Sequence, residues 1–336
     1  PILPVSLKSE KYREDKRNVT YIINSLKDDE YVDLRLLVDF IADDSPKTKI
    51  PNMGDANYIP TDKFSLPVDS ARVVNNGTVS PKHAHLIENP LRWKYRKRYL
   101  LKNELIIMDI IAHNNWERPV YFSAPGHLGS LGLEDYFQLE GLVYRLTPVK
   151  TQKSNPYATG RIHAEKMYQN LMEKFTWGNM DDPDIYLNHY HLRTLRVLQL
   201  RYKFVRLANA LTAQNKRDKA IHVLDKCMDV MPRENVPYDE FIIFITEAYY
   251  KAGAVEKANK LVRDYTEILD KEIKYFLSLP SKLYGGFSHT FENEKLGIFY
   301  NLTRQTKQYG QTELHSQLKE KLENYQQVMA QKGWDN

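Results

Sequence analysis

His83-x-His85 and His189-x-His191 are the close histidine pairs of this sequence, and metal binding is the first chemistry they raise. On a helix, residues two apart point to different sides, so His189 and His191 cannot share an ion there. On a strand His83 and His85 lie on one face, yet no third ligand stands at a suitable spacing; neither a metal nor another cofactor is expected. Gly126, Gly129 and Gly132 follow a strand-like run and precede a helical one, which is where a phosphate cradle sits. Their order is G-x-x-G-x-x-G, no Lys-Ser/Thr follows, and Glu134 and Asp135 add negative charge, so a flexible connection is the better reading. Arg92-Trp-Lys-Tyr-Arg-Lys-Arg-Tyr99 interleaves cations with aromatics. As a strand it places Arg92, Lys94, Arg96 and Arg98 on one face and Trp93, Tyr95 and Tyr99 on the other. An edge strand that uses charge to discourage pairing explains this best, contact with an anionic membrane surface comes second, and nucleic acid is not expected. No Ser, His and Asp set and no pair of catalytic carboxylates can be assembled from spacing.

The elements that must position these residues divide the chain in two. Its 336 residues exceed the usual single-domain size, and 42% hydrophobic with 12% aromatic residues supply a sizeable core. Lys and Arg exceed Asp and Glu by 48 to 43, a net charge of +5 too small for a strong field. The single Cys227 excludes an internal disulfide and falls at a packing position, which reads as core. No apolar run approaches the roughly 20 residues of a membrane span. The start at Pro1, with no leader, reads as a piece of something longer.

Residues 1–150 alternate strand-like and helical runs and predict an α/β domain with parallel pairing. Strands are expected at residues 19–23, 91–101, 119–123 and 142–149. Helices are expected at 28–41, 103–114 and, briefly, 134–140, with mostly loop and short strands over 47–81. Residues 151–159 are polar and form a linker. Residues 160–336 read as all-α, with helices at 160–175, 183–214, 216–230, 239–252, 255–275, 291–309 and 311–331; Asp182 before Pro183 is a start signal for the second.

The helical half repeats itself. Phe204, Leu207, Ala208, Leu211, Asn215, Ala220, Leu224 and Cys227 correspond to Ile242, Ile245, Thr246, Tyr249, Gly253, Ala258, Val262 and Tyr265. This resembles a tetratricopeptide repeat, in which small residues let two helices approach and a left-handed residue ends the first. The spacing is 38 rather than roughly 34, because residues 233–240 lengthen the connection, and a third unit near Leu302, Gly310 and Leu318 is fainter. In such repeats the inner groove is lined by first-helix residues between the packing positions: here Tyr202, Asn209, Thr212, Glu240, Glu247 and Tyr250. The groove reading is a surface that grips a protein or peptide; the plain reading is a solvated face, or one covered by the chain's own C-terminal helices.

Longer motifs extend the resemblance. Asn52-Met-Gly-Asp-Ala-Asn-Tyr-Ile-Pro-Thr-Asp62, Asn114-Asn-Trp-Glu-Arg-Pro-Val-Tyr-Phe122, residues 131–148 from Leu131-Gly-Leu-Glu-Asp-Tyr-Phe137 onward, and Phe175-Thr-Trp-Gly-Asn-Met180 occur in order. With these, nearly all of the chain resembles the soluble C-terminal region of a bacterial multi-pass membrane protein family, long labelled a domain of unknown function and similar to protein O-mannosyltransferases. The resemblance implies an upstream membrane-embedded region that attaches the chain to the inner membrane and holds any sugar-transfer chemistry. It also implies placement on the periplasmic face, and a non-catalytic role in binding or positioning a protein or peptide partner, that membrane-embedded region included. The alternative is that this segment contributes residues to a protein O-glycosyl transfer site, with Asp135 and the Gly126–Gly132 loop as its features. Asp69-Ser70-Ala71 fits the short acceptor pattern of bacterial O-glycosylation.

Overall fold

The computed structural model describes residues 5–6, 19–27, 29–53, 56–123, 129, 131–151, 159–194 and 197–334. Two compact units emerge, Pro1–His163 and Ala164–Asn336. The expected linker lies almost wholly outside the described residues, and Gly126 lies there too.

In the first unit β1 (Thr20–Ile22), β2 (Val32–Asp33) and α1 (Leu34–Ala42) come first, then β3 (Tyr58–Ile59), β4 (Lys63–Leu66) and α2 (Ser70–Asn75). There follow β5 (Leu91–Lys94), β6 (Tyr99–Leu100), α3 (Lys102–His113), β7 (Tyr121–Phe122), β8 (Phe137–Leu139), β9 (Tyr144–Leu146) and β10 (Arg161–Ile162). Helix α1 buries Leu34, Leu37, Val38 and Ile41, spaced to form one stripe, and packs on α3. It starts at Leu34 and not near residue 28, because Val32 and Asp33 pair with Phe64 and Ser65 of β4; the Asp33 carboxylate then caps it by accepting from the Arg35 N–H.

The expected parallel layer is corrected. The strands form three small mixed sheets, ordered β3-β1-β6, β2-β4-β5 and β10-β8-β9-β7. Only β1–β3, β2–β4 and β8–β10 run parallel. Strands of two to four residues, parted by Pro- and Asn-rich loops, cannot extend into one continuous sheet. The short helix expected over 134–140 is a single tight turn, Glu134–Tyr136, followed by strand β8. Phe137, Gln138 and Leu139 are all buried, with β9 on one side and β10 on the other, so pairing overrides local preference.

The second unit is helical. It contains α4 (Ala164–Gln169), α5 (Val197–Ala213), α6 (Arg217–Val230), α7 (Phe241–Ala252), α8 (Val255–Ser278), α9 (Tyr284–His289), α10 (Gly297–Gln308) and α11 (Thr312–Gln331). The helices expected over 160–175 and 183–214 are shorter than the periodicity suggested. Residues 161–162 are strand β10, and the second begins only with a π-helical turn at Tyr190–Thr194, ahead of α5 at Val197. Gly178 and Asn179 take left-handed backbone, with φ of 64° and 54°, and the Asp182 carboxylate accepts from the Asp184 N–H in a turn rather than at a long helix.

Three helix pairs, α5–α6, α7–α8 and α10–α11, share one closing turn. Asn215, Gly253 and Gly310 are left-handed, with φ of 58°, 88° and 70°. The following N–H groups, of Lys216, Ala254 and Gln311, reach back to the carbonyls of Leu211, Tyr249 and Thr306 at 2.9, 2.9 and 2.8 Å. This is the reversal that satisfies the last carbonyls of a helix. Ala220 and Ala258 are fully buried near the start of each second helix, alongside Leu207, Ala208, Leu224 and Ile245. Cys227 is fully buried as well, and burial pushes its thiol up to about 12, which leaves it inert.

The long connection between α6 and α7 has a chemical purpose. Arg201 of α5 is 0% exposed, and its guanidinium donates to the carbonyls of Val236 (2.5 Å), Pro237 (2.7 Å) and Met231 (3.4 Å) and to the Asp239 carboxylate (3.2 Å). The added residues present the Val236 and Pro237 carbonyls and the Asp239 carboxylate. Burial pushes the Asp239 carboxyl up to about 6, against the opposing pull of Arg201. A native pKa above the unfolded one means that the folded state holds the proton more tightly. The contribution is then fullest below about pH 4 and is lost as pH rises through about 6, by at most about 3 kcal/mol. Urea midpoints of the wild type relative to Asp239→Asn should fall over that interval; parallel pH profiles would refute the assignment.

Candidate functional site

Helices α5 and α7 bring together part of the residue set expected to line a partner-binding face. Tyr202 of α5 meets two aromatics of α7, Phe241 at 6.0 Å and Phe244 at 5.4 Å between ring centres, and those two lie 6.3 Å apart. All three are partly exposed. Phe241 and Phe244 were missed by sequence reasoning; their signal was the i, i+3 aromatic spacing at the start of α7.

Further along, Asn209 is half-buried and its Oδ1 has no donor within the protein, while the Thr212 hydroxyl bonds back to the Ala208 carbonyl at 2.9 Å. Glu240 is exposed, and Glu247 pairs with Lys251 one turn on at 2.9 Å. Tyr250 departs from the groove expectation. It is 5% exposed, its hydroxyl donates to Asn259 at 2.8 Å, and its ring stacks on Tyr309 at 4.6 Å, so it packs the second helix pair against the third. An aromatic ring between two polar turns looks the same in sequence whether it faces a groove or a neighbouring helix.

The cationic ladder of the first unit follows the alternation expected of it. Leu91, Trp93 and Tyr95 are buried while Arg92, Lys94 and Arg96 face out, and β5 is the edge of its sheet. Arg98 is exposed as well, but Tyr99, expected on the buried face, is 42% exposed, because β6 begins there in a different sheet. Carboxylates accompany several of the cations: Lys94 with Asp62 (3.3 Å), Arg96 with Glu134 (2.9 Å) and Lys97 with Glu104 (3.0 Å). Arg92 lies over the Tyr31 ring at 5.8 Å.

Arg96 also explains part of the glycine loop. Its guanidinium donates to the Gly129 carbonyl at 3.2 Å. Gly132 has a φ of +75°, and a Cβ there would stand 2.0 Å from the Lys94 carbonyl oxygen, so this glycine serves close approach of loop to strand. Asp135 sits in the turn Glu134–Tyr136, and its own carbonyl accepts from the Thr151 N–H at 2.7 Å.

The fold also assembles a Ser, His and Asp group that spacing did not reveal. Asp109 is 0% exposed on α3 and accepts from the Ser6 N–H (3.0 Å), the Ser6 hydroxyl (3.2 Å) and His113 Nδ1 (2.8 Å). The hydroxyl is turned to the carboxylate and not to the imidazole, so the arrangement ties residue 6 to α3 and does not activate a nucleophile. The Asp109–His113 half was visible as an i, i+4 pair. Among the described residues no group of three or more His, Cys, Asp or Glu side chains is arranged to hold a metal ion, and no helix is long and apolar enough to cross a membrane.

A family counterpart exists for the α/β unit. Residues 1–166 match the family model described as TMEM260-associated domain 2. The match takes in the ten strands of the described residues and the Asn114–Phe122 motif, and it is consistent with a domain of a TMEM260-like membrane protein family. The matched residues include the ladder, the glycine loop and the Asp109 group; the helix pairs lie outside them. No curated protein and no solved structure matches the chain.

Proposed function

We propose that the chain is a non-catalytic accessory region of a membrane-embedded, glycosyltransferase-like protein, and that its helical unit receives a protein or peptide partner. The observation that carries this reading is the partly exposed cluster of Tyr202, Phe241 and Phe244 on adjacent first helices of two helix pairs. Aromatic side chains of this kind supply large contact area at small entropic cost and dominate binding energy at protein interfaces. We read the three helix pairs as tetratricopeptide-like units: the shared left-handed turns and the buried Ala220 and Ala258 support this, and the longer spacing follows from the carbonyls supplied to Arg201. Attachment to a membrane protein is supported by the family match of the first unit. Placement on the periplasmic face of the bacterial inner membrane, with the embedded region of the same protein as one candidate partner, rests on the motif resemblance. In this setting Arg92 and Lys94 of the edge strand, with Arg96 and Arg98 of the turn after it, would face the bilayer.

A photo-crosslinking residue at position 244 in the membrane-attached protein should capture one discrete polypeptide, and capture should drop about tenfold when Tyr202 and Phe241 are both changed to serine. The same residue at position 320, on the polar outer side of α11, is the control. Equal capture at both positions, or a yield indifferent to Tyr202 and Phe241, would remove the groove from consideration.

A further inference from the structure

The three helix pairs divide their charge unevenly. The first helices α5, α7 and α10 carry six cations, Arg201, Lys203, Arg206, Lys251, Arg304 and Lys307, and one carboxylate, Glu247. Neither α5 nor α10 contains an Asp or Glu. The second helices α6, α8 and α11 are balanced, with ten cations against eleven carboxylates. Arg201 is tied to the connection before α7, and Glu247 faces Lys251 at 2.9 Å, so the positive surplus belongs to α5 and α10.

The surplus sits on the side that carries the aromatic cluster. On α10, Tyr300, Arg304 and Lys307 follow at helical spacing and are all exposed, Tyr300 by 56%. Other sides of that helix are occupied. Gln305 bonds the Ile243 carbonyl (2.8 Å) and the Thr246 hydroxyl (2.7 Å) of α7, and Phe299 meets Tyr325 of α11 at 5.5 Å between ring centres. On α5, Arg206 stands one turn after Tyr202 and on the same stripe, 8% exposed. On α7, the exposed Lys251 lies two turns after Phe244 on one line. Aromatic rings and cations are therefore interleaved across the first helices of all three pairs.

We infer that the partner of this face is an acidic peptide segment. Its large apolar side chains seat on Tyr202, Phe241 and Phe244, and its Asp and Glu side chains lie along Arg206, Arg304 and Lys307. The segment is the partner of the reading above, on which this inference rests. Arginine suits the task because its guanidinium takes a carboxylate through two parallel charge-assisted bonds, and complementary charge both speeds encounter and rejects basic competitors. A nucleic acid fits less well, because Glu240 and Glu247 stand on the same side and would oppose a phosphate backbone.

Panning a displayed library of random peptides of about 12 residues on the immobilised chain should enrich Asp and Glu about threefold over the starting library, each selected peptide keeping at least one large apolar residue. Arg304→Glu with Lys307→Glu changes exposed positions only, so helicity and urea midpoint should be retained while a selected peptide binds about tenfold more weakly. The charge-preserving pair Arg304→Lys with Lys307→Arg should lose less than about threefold. Selected peptides of neutral or basic character, no selection at all, or unchanged binding by the folded charge-reversed variant would each overturn the inference. So would tighter binding of a single-stranded oligonucleotide or of phosphatidylglycerol vesicles than of the selected peptides. Crosslinking at position 244 separates this failure from that of the face itself. A captured polypeptide segment without acidic character removes only the charge rule, whereas equal capture at positions 244 and 320 removes both.

Discussion

Arg201→Ala is expected to cost about 3–5 kcal/mol and to unfold the helical unit at mild denaturant concentrations. The change removes the donors of three carbonyls, those of Met231, Val236 and Pro237, and leaves the Asp239 carboxylate 7% exposed with its cation gone. A buried acceptor that loses its partner forfeits the whole desolvation cost, which is larger than the net worth of the bond that held it. The guanidinium also lies 5.9 Å from the Tyr238 ring, which would then face a cavity. Arg201→Ala combined with Asp239→Asn should recover at least about 1 kcal/mol of the loss, since one uncompensated charge is then absent. Urea unfolding followed by circular dichroism reads all three proteins. A single-site loss below about 1 kcal/mol would show that the connection holds its shape without this side chain.

The second large effect is expected at Gly132. Alanine there meets a left-handed backbone cost of about 1–2 kcal/mol together with overlap on the Lys94 carbonyl, for a total of about 3 kcal/mol or more. The strand cannot step aside, because residues 91–94 of β5 are paired along their whole length with β4. Gly77 is the built-in comparison. Its φ is +70°, but nothing stands within 4 Å of the added methyl, so Gly77→Ala should lose only about 1 kcal/mol. Equal losses for the two would mean that the loop, and not the strand, absorbs the contact.

What could be read from the sequence follows from how local each cause is. The closing turns at Asn215 and Gly253 were legible because a left-handed residue between two helical patterns has few substitutes, and Gly310 follows the same rule although its flanking pattern is faint. The edge strand was legible from the alternation of Arg92, Trp93, Lys94 and Tyr95. Arg201 was not: an arginine in an amphipathic helix looks like a solvated position until distant carbonyls are folded onto it. The helix expected from residue 183 was placed too early because Asp182 before Pro183 reads as a helix start, while its carboxylate accepts from the Asp184 N–H in a turn and helical structure begins only at Tyr190. At the candidate face, Tyr202 could be nominated from the repeat register, but its partners Phe241 and Phe244 and the burial of Tyr250 depend on how neighbouring pairs rotate against each other, which no single-helix pattern contains.

The seam between the second and third helix pairs is lined with amides. Gln305 donates to the Ile243 carbonyl (2.8 Å) and accepts from Thr246 (2.7 Å), Asn259 donates to Gln311 (2.8 Å), and the Tyr250 hydroxyl closes on Asn259. Apolar surfaces tolerate sliding at little cost, whereas directional bonds of this kind are satisfied at one register and broken one residue away. The second and third pairs are therefore held at one register, like teeth on a rack. Loss of a single amide, as in Gln305→Leu, would leave the Ile243 carbonyl and the Thr246 hydroxyl without their partner across the seam.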